Sequence, residues 1–149
     1  MKSRIAALGI LVFSALGCVH APPPPPESPV AAPGERFQLR PEESMQIAGT
    51  PVKITFEKIV SDNRCAVDVV CIVAGEARAL LRLDQPGKLS IGFELDTGRT
   101  PRATVNGHRV SLVGVSPAPL STIQIDPRSY VVELIINPEP PAQKSSPPS

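Results

Sequence analysis

The chain has 149 residues, a formal net charge of +1, no tryptophan, one tyrosine and four phenylalanines. The balanced charge speaks against a nucleic-acid surface or a polybasic membrane patch, and the lack of aromatics speaks against a base-stacking or sugar-binding platform. The length predicts one domain once flanking segments are subtracted. Proline is the outlier at 19 residues, and twelve of these fall in two stretches, 22–33 and 138–148. Between them, residues 35–137 are rich in Val, Ile and Leu, which is enough for a small autonomous core.

Residues 1–4 carry Lys2 and Arg4, and residues 5–17 follow without a charge or a proline. A helix of that length spans about 20 Å, short of a bilayer core of about 30 Å. After a basic start, this is the apolar region of a secretory signal. A cleavage site Val19-His20-Ala21 would place the cut before Pro22, where proline hinders it. The other route, Ala15-Leu16-Gly17-Cys18, resembles the lipobox of bacterial lipoproteins. Gly17 and Cys18 match, whereas Ala15 and Leu16 stand where that family favours Leu and a small residue. The resemblance implies that residues 1–17 are a signal peptide, that the Cys18 thiol accepts a diacylglycerol, and that the new amine is acylated. Two or three acyl chains anchor stably, since each buried methylene contributes about 0.8 kcal/mol. Val19, rather than Asp, follows the cysteine, which under the sorting rule of enteric bacteria implies the outer membrane.

Five prolines, residues 22–26, are expected in polyproline II at about 3.1 Å per residue. Residues 18–34 then form a disordered tether of roughly 50 Å that holds a domain off the membrane. A proline-rich ligand for a groove is the alternative. Residues 138–149, PEPPAQKSSPPS, read as a Pro/Ser-rich disordered tail.

With Cys18 lipidated, Cys65 and Cys71 remain as an even pair in an oxidising compartment. A disulfide requires the intervening AVDVV to fold back as a tight loop, and closing it stabilises by about 2.4 kcal/mol in the chain-entropy model. The spacing is not the C-x-x-C of redox pairs. A zinc site needs three or four ligands, and only His108 is available to join, so no metal or cofactor is implied.

The domain reads as all-β. In TPVKITFEKI, Val52, Ile54 and Phe56 share one face; in EARALLRL, Ala77, Ala79, Leu81 and Leu83 do, with Arg78, Leu80 and Arg82 opposite. LSIGFEL repeats the alternation and predicts Leu89, Ile91, Phe93 and Leu95 facing inward. QPGK, with Pro86 and Gly87 central, suits a type II turn, and Asn106-Gly107 is a strong hairpin signal. RPEESMQI allows one helical turn from Pro41, and SYVVELIIN reads as a final buried strand. Seven to nine strands at short spacing predict an antiparallel β-sandwich.

The stretch FEKIVSDNRCAVDVVCIVAGEARALLRL resembles a motif of small exported bacterial domains, roughly F-x-x-V-x-x-D-S-R-C-P-x-x-V-x-C-x-x-A-G. Phe56, Asp62, Arg64, Cys65, Val69 or Val70, Cys71, Ala74 and Gly75 align with it, while Asn63 replaces Ser and Ala66 replaces Pro. The resemblance implies a β-sandwich with a disulfide-pinned loop and brings no activity with it.

Chemistry is sparse. His108 is the only histidine of the domain and, directly after a turn, is expected in solvent. There is no G-x-S-x-G, H-E-x-x-H or phosphate-binding glycine loop, and no catalytic residue is assigned. Glu94 and Asp96 are expected as surface charge rather than as a glycosidase pair. Asp62, Asn63, Arg64 and Asp68 form a polar cluster around the disulfide, either a turn held by its own hydrogen bonds or a binding loop, with Arg64 paired to Asp62 or Asp68. Arg78 and Arg82 either shield a sheet or meet an acidic partner. These residues favour a non-enzymatic, lipid-anchored envelope protein whose partner is another envelope protein or a cell-wall component. The alternatives are a cryptic envelope enzyme or metal-handling domain, or a protease inhibitor presenting the Cys65–Cys71 loop.

Overall fold

The computed structural model describes residues 28–139; the signal, Cys18, the five prolines and residues 140–149 lie outside the described residues. The strands are β1 (Val30–Ala31), β2 (Arg36–Leu39), β3 (Ser44–Ile47), β4 (Lys53–Asp62), β5 (Ala77–Asp84), β6 (Ile91–Asp96), β7 (Arg102–Val105), β8 (His108–Ser116) and β9 (Val131–Pro138). They form a five-stranded sheet in the order β1-β3-β4-β5-β6 and a four-stranded sheet in the order β2-β9-β8-β7. The two pack face to face as the β-sandwich that the alternation predicts. Every pairing is antiparallel except β1 with β3, which is parallel.

Residue alternation sets the layers. Ala77, Ala79, Leu81 and Leu83 of β5 are fully buried, while Arg78, Leu80 and Arg82 between them are half-exposed on the outer face. Across the interface lie Val110 and Leu112 of β8 and Val132, Leu134 and Ile136 of β9. Aliphatic branches of this kind fill a pleated interior densely.

Strand β4 carries two bulges, after Phe56 and after Ile59, so Glu57 and Val60 are extra residues against β5. Each insertion moves the alternation by one position. The first turns Ile59 inward opposite Ala79, and the second turns Asp62 inward opposite fully buried Ala77. A carboxylate is thereby placed at the mouth of the core.

The turns follow their local chemistry. Gly87 has φ +77° and Lys88 N donates to Gln85 O at 3.0 Å, closing the β5–β6 hairpin. Asn106 and Gly107, at φ +51° and +77°, make the β7–β8 turn with both central residues left-handed, the type I′ geometry that matches strand twist.

Four expectations are corrected. No helical turn starts at Pro41: Glu42 has φ +70°, which a right-handed helix forbids, and residues 44–46 pair with β4 instead. Leu89 is 87 % exposed, because the connection runs on to Ile91 before β6 begins, so only Ile91, Phe93 and Leu95 of that set pack against or within the core. The sheet starts at Val30, inside the expected tether, because Val30 and Ala31 pair with Gln46 and Ile47 and Ala31 is buried. At the other end, β9 runs to Pro138, and Glu139 is held by Gly107 O, Thr104 and Arg109.

This face assignment predicts unequal costs for neighbouring leucines. Leu81→Ala should lower unfolding free energy by about 2–5 kcal/mol, and Leu80→Ala by less than about 1 kcal/mol, in urea denaturation.

Candidate functional site

The β4–β5 connection is a finger closed at its base by backbone pairing and farther out by a disulfide. Asn63 N donates to Glu76 O at 3.0 Å, Glu76 N to Asn63 Oδ1 at 2.8 Å, and Cys65 N to Ala74 O at 2.7 Å. Cys65 and Cys71 are bridged, with Sγ atoms 2.09 Å and Cα atoms 5.9 Å apart. Gly75 has φ +67°, and a Cβ there would stand 1.8 Å from Asn63 O, so only glycine lets the finger's two sides meet.

Arg64 is the hub. Its Nε donates to Asp62 Oδ1 at 2.8 Å and its Nη2 to Asp62 Oδ2 at 2.7 Å, a two-pronged pair. Nη1 donates to Val115 O at 2.5 Å and Nη2 to Pro117 O at 2.8 Å, both on the other sheet's side of the sandwich. Tyr130, just before β9, donates its hydroxyl to Asp62 Oδ2 at 3.0 Å. The Arg64 and Asp62 side chains are 15 % and 9 % exposed, so the pair is largely withdrawn from water.

Burial opposes ionisation of Asp62, but the Arg64 hydrogen bonds and charge together with the Tyr130 hydroxyl outweigh it and hold the carboxyl below its ordinary 3.8. Burial, reinforced by the neighbouring Asp62 carboxylate, pushes the Tyr130 phenol up from 10.0.

The rest of the predicted cluster divides between two loops. Asp68 is exposed and pairs with Ser121, not Arg64, accepting from its amide at 2.8 Å and its hydroxyl at 2.6 Å. Those bonds, the side-chain one foremost, lower its pKa. Val67 N donates to Pro119 O at 3.0 Å. The finger is therefore laced to the β8–β9 connection along its length. Beside this seam, an open cleft of about 370 Å³ runs between the end of β4 and residues 119–130, lined by Ile59, Val60, Asp62, Ile123, Ile125 and Tyr130.

The finger's outer surface is aliphatic. Val70 and Ile72 are fully exposed, and Val67, Val73 and Val69 are 69 %, 75 % and 46 % exposed. Residues 69–75 hold no charge.

Two solvent assignments are corrected. His108 is buried on the inner face of β8, with Nδ1 3.1 Å from Asn106 O. Strand alternation outranks its nearness to a turn: it shares a face with Val110 and Leu112. It sits at the end of β8 opposite Val115, about 23 Å away along the strand. Asp96 is also buried; its Oδ1 accepts from Thr100 N at 2.8 Å and Gly98 N at 2.9 Å, and these bonds, Thr100 foremost, lower its pKa against the cost of burial. Glu94 is exposed and lies 3.7 Å from Arg78. Arg78 also meets Glu76, and Arg82 meets Glu57 and Asp84, so carboxylates of the same face already balance this stripe.

Among the described residues, no three His, Cys, Asp or Glu side chains gather as a metal site. No helix among them is long and apolar enough to cross a membrane. A scan against protein-family models finds no match to this chain, and neither do searches of the curated proteins and of the solved structures.

Tyr130, Ser121 and the Val115 and Pro117 carbonyls escaped the sequence because all are distant along the chain from residues 62–68. The aliphatic tip had a visible signal, the uncharged run VVCIVAG.

Because folding lowers the pKa of Asp62, its contribution to stability is complete above 3.8 and is lost as pH falls through the lower folded value. Asp62→Asn should cost about 3 kcal/mol at pH 7, since it leaves a buried guanidinium without its counter-charge. The gap from wild type should narrow as pH falls below 3.8 and through the lower folded value, as followed by urea midpoints across pH.

Proposed function

We propose that this chain is a lipid-anchored protein of the bacterial cell envelope, whose sandwich domain binds or supports another envelope component without catalysing a reaction. The observation that carries the second half is the use of its most reactive-looking side chains. Asp62 and Arg64 are consumed by each other and by Tyr130, Val115 and Pro117. Cys65 and Cys71 are bridged, and His108 lies toward the far end of the sandwich, so these groups do not converge as nucleophile, base and orienting acid. Thiolates tied in a disulfide are likewise unavailable to a metal.

The anchor rests on the sequence: a basic start, a short apolar run and Ala15-Leu16-Gly17-Cys18. Val19 supports the outer membrane as its site. The likeness of residues 56–83 to small exported bacterial domains supports the same compartment, as does a bridged cysteine pair.

The test is the intact mass of the mature protein from its native host, before and after reduction. The expected species begins at Cys18, carries acyl mass, and gains a pair of hydrogens on reduction. A lipid-free chain beginning at Pro22 would overturn the anchor.

A further inference from the structure

The aliphatic tip of the finger is the largest feature of the domain that internal packing leaves unexplained. Val70 and Ile72 are as exposed as in an extended chain, and no charge stands between Val69 and Gly75. Exposed aliphatic clusters of this size in a soluble domain mark contact sites. The shape is a protrusion rather than a groove, closed by the Cys65–Cys71 bridge and braced by Asp68–Ser121 and Val67–Pro119. A stiff, uncharged, convex aliphatic tip suits a soft apolar phase better than a shaped protein pocket.

The path of the chain shows which way the tip faces. Val30 is level with Gln46 and hence with Lys53, the first residue of β4. Val30 and Ala31 run parallel to β3 and antiparallel to β4, and Pro29 O accepts from Gln46 N, so the chain comes from the side of Asp62 and the finger. Ser28 lines a cleft with Ser44, whose strand partner is Thr55. From there to the end of β4 is about 20 Å, and the finger adds about 10–15 Å beyond it. Ten residue steps separate Ser28 from Cys18, which reach at most about 35 Å. The early start of the sheet at Val30 is what makes this connection so short.

The reach from Ser28 back to Cys18 thus matches the height from Ser28 to the finger's tip. We infer that the tip, centred on Val70 and Ile72, dips into the bilayer that holds the lipidated Cys18 and docks the domain finger-down at a second point. The inference rests on the lipid anchor proposed above. Once the acyl chains are in the membrane, the tip is confined near the surface, so even a weak insertion is favoured by its high local concentration. The contact is apolar and so should be insensitive to salt.

The absence of tryptophan makes the test direct. The full lipidated chain would be prepared as Ile72→Trp, with Val70→Trp as a second reporter and Leu89→Trp as a control toward the opposite end, where Leu89 is 87 % exposed. Each would be reconstituted in phosphatidylcholine vesicles brominated near the top of their acyl chains. The expected result is flotation of all three, at least twofold quenching of tryptophan emission in I72W and V70W at low and high salt, and unchanged emission in L89W. Flotation with no quenching in I72W and V70W would overturn the contact while leaving the anchor intact. A blue shift that grows with protein density but resists bromine would also overturn it, and would assign the tip to a second copy. Equal quenching in all three variants would exclude a finger-down orientation. A chain that does not float would fail the anchor itself and remove the contact with it.

Discussion

A single guanidinium organises one end of this sandwich. Arg64 leaves the five-stranded sheet immediately after β4, grips Asp62 with two of its nitrogens, and also donates to the carbonyls of Val115 and Pro117 beyond the interface. Elsewhere the two sheets meet through apolar side chains, Phe37 and Phe56 among mostly aliphatic ones, whose attraction is strong but undirected. Here a directed tie fixes how the β4–β5 finger sits against the β8–β9 connection. A buried ion pair seldom adds net stability over an apolar replacement, whereas removing one partner is costly. Its contribution is to exclude other arrangements of the two loops, because any of them strands a buried charge.

The remaining features of that end follow from this tie. The second bulge in β4 restores the alternation that the first reverses, so Asp62 faces inward as Phe56 does, and Gly75 is needed to let the finger's return strand pass Asn63. The Cys65–Cys71 bridge narrows the ensemble of the segment between them, and Asp68 hands the finger's flank to Ser121. The two carboxylates and the guanidinium of the cluster are thereby each bonded to another part of the protein. At the tip, the large side chains facing outward are valine and isoleucine. The chemistry of the finger is thus divided into a polar root that builds structure and an aliphatic tip free to meet something else.

The fold was legible where the sequence carries its own period. Alternation in residues 52–56 and 77–83, Pro86-Gly87 and Asn106-Gly107 are local signals, and the sheets obey them. Failures arose where long-range pairing overrode local preference. Val30 and Ala31 join the sheet because β3 offers an edge, which no feature of a proline-rich stretch announces. Residues 44–46 form a strand for β4 rather than extending a helical turn from Pro41. At the site, the cysteine bridge and a local partner for Arg64 were legible because they lie within a few residues of each other, though the sequence left that partner open between Asp62 and Asp68. Tyr130 and Ser121, which are 68 and 53 residues away from their partners, were not. Asp96 and His108 were misplaced for a common reason: a polar side chain can be buried when nearby backbone groups satisfy it, and that depends on the turn's geometry rather than on residue type.

Native-state hydrogen exchange in wild type and in an Arg64→Met chain addresses the central role of the guanidinium most directly. If Arg64 locks the finger to the opposite sheet, the substitution should speed exchange at the Asn63, Cys65 and Ser121 amides by at least about tenfold more than at Leu81 and Leu134 in the core, the pattern of a local opening. Equal changes at all five amides, or none at the finger, would contradict it.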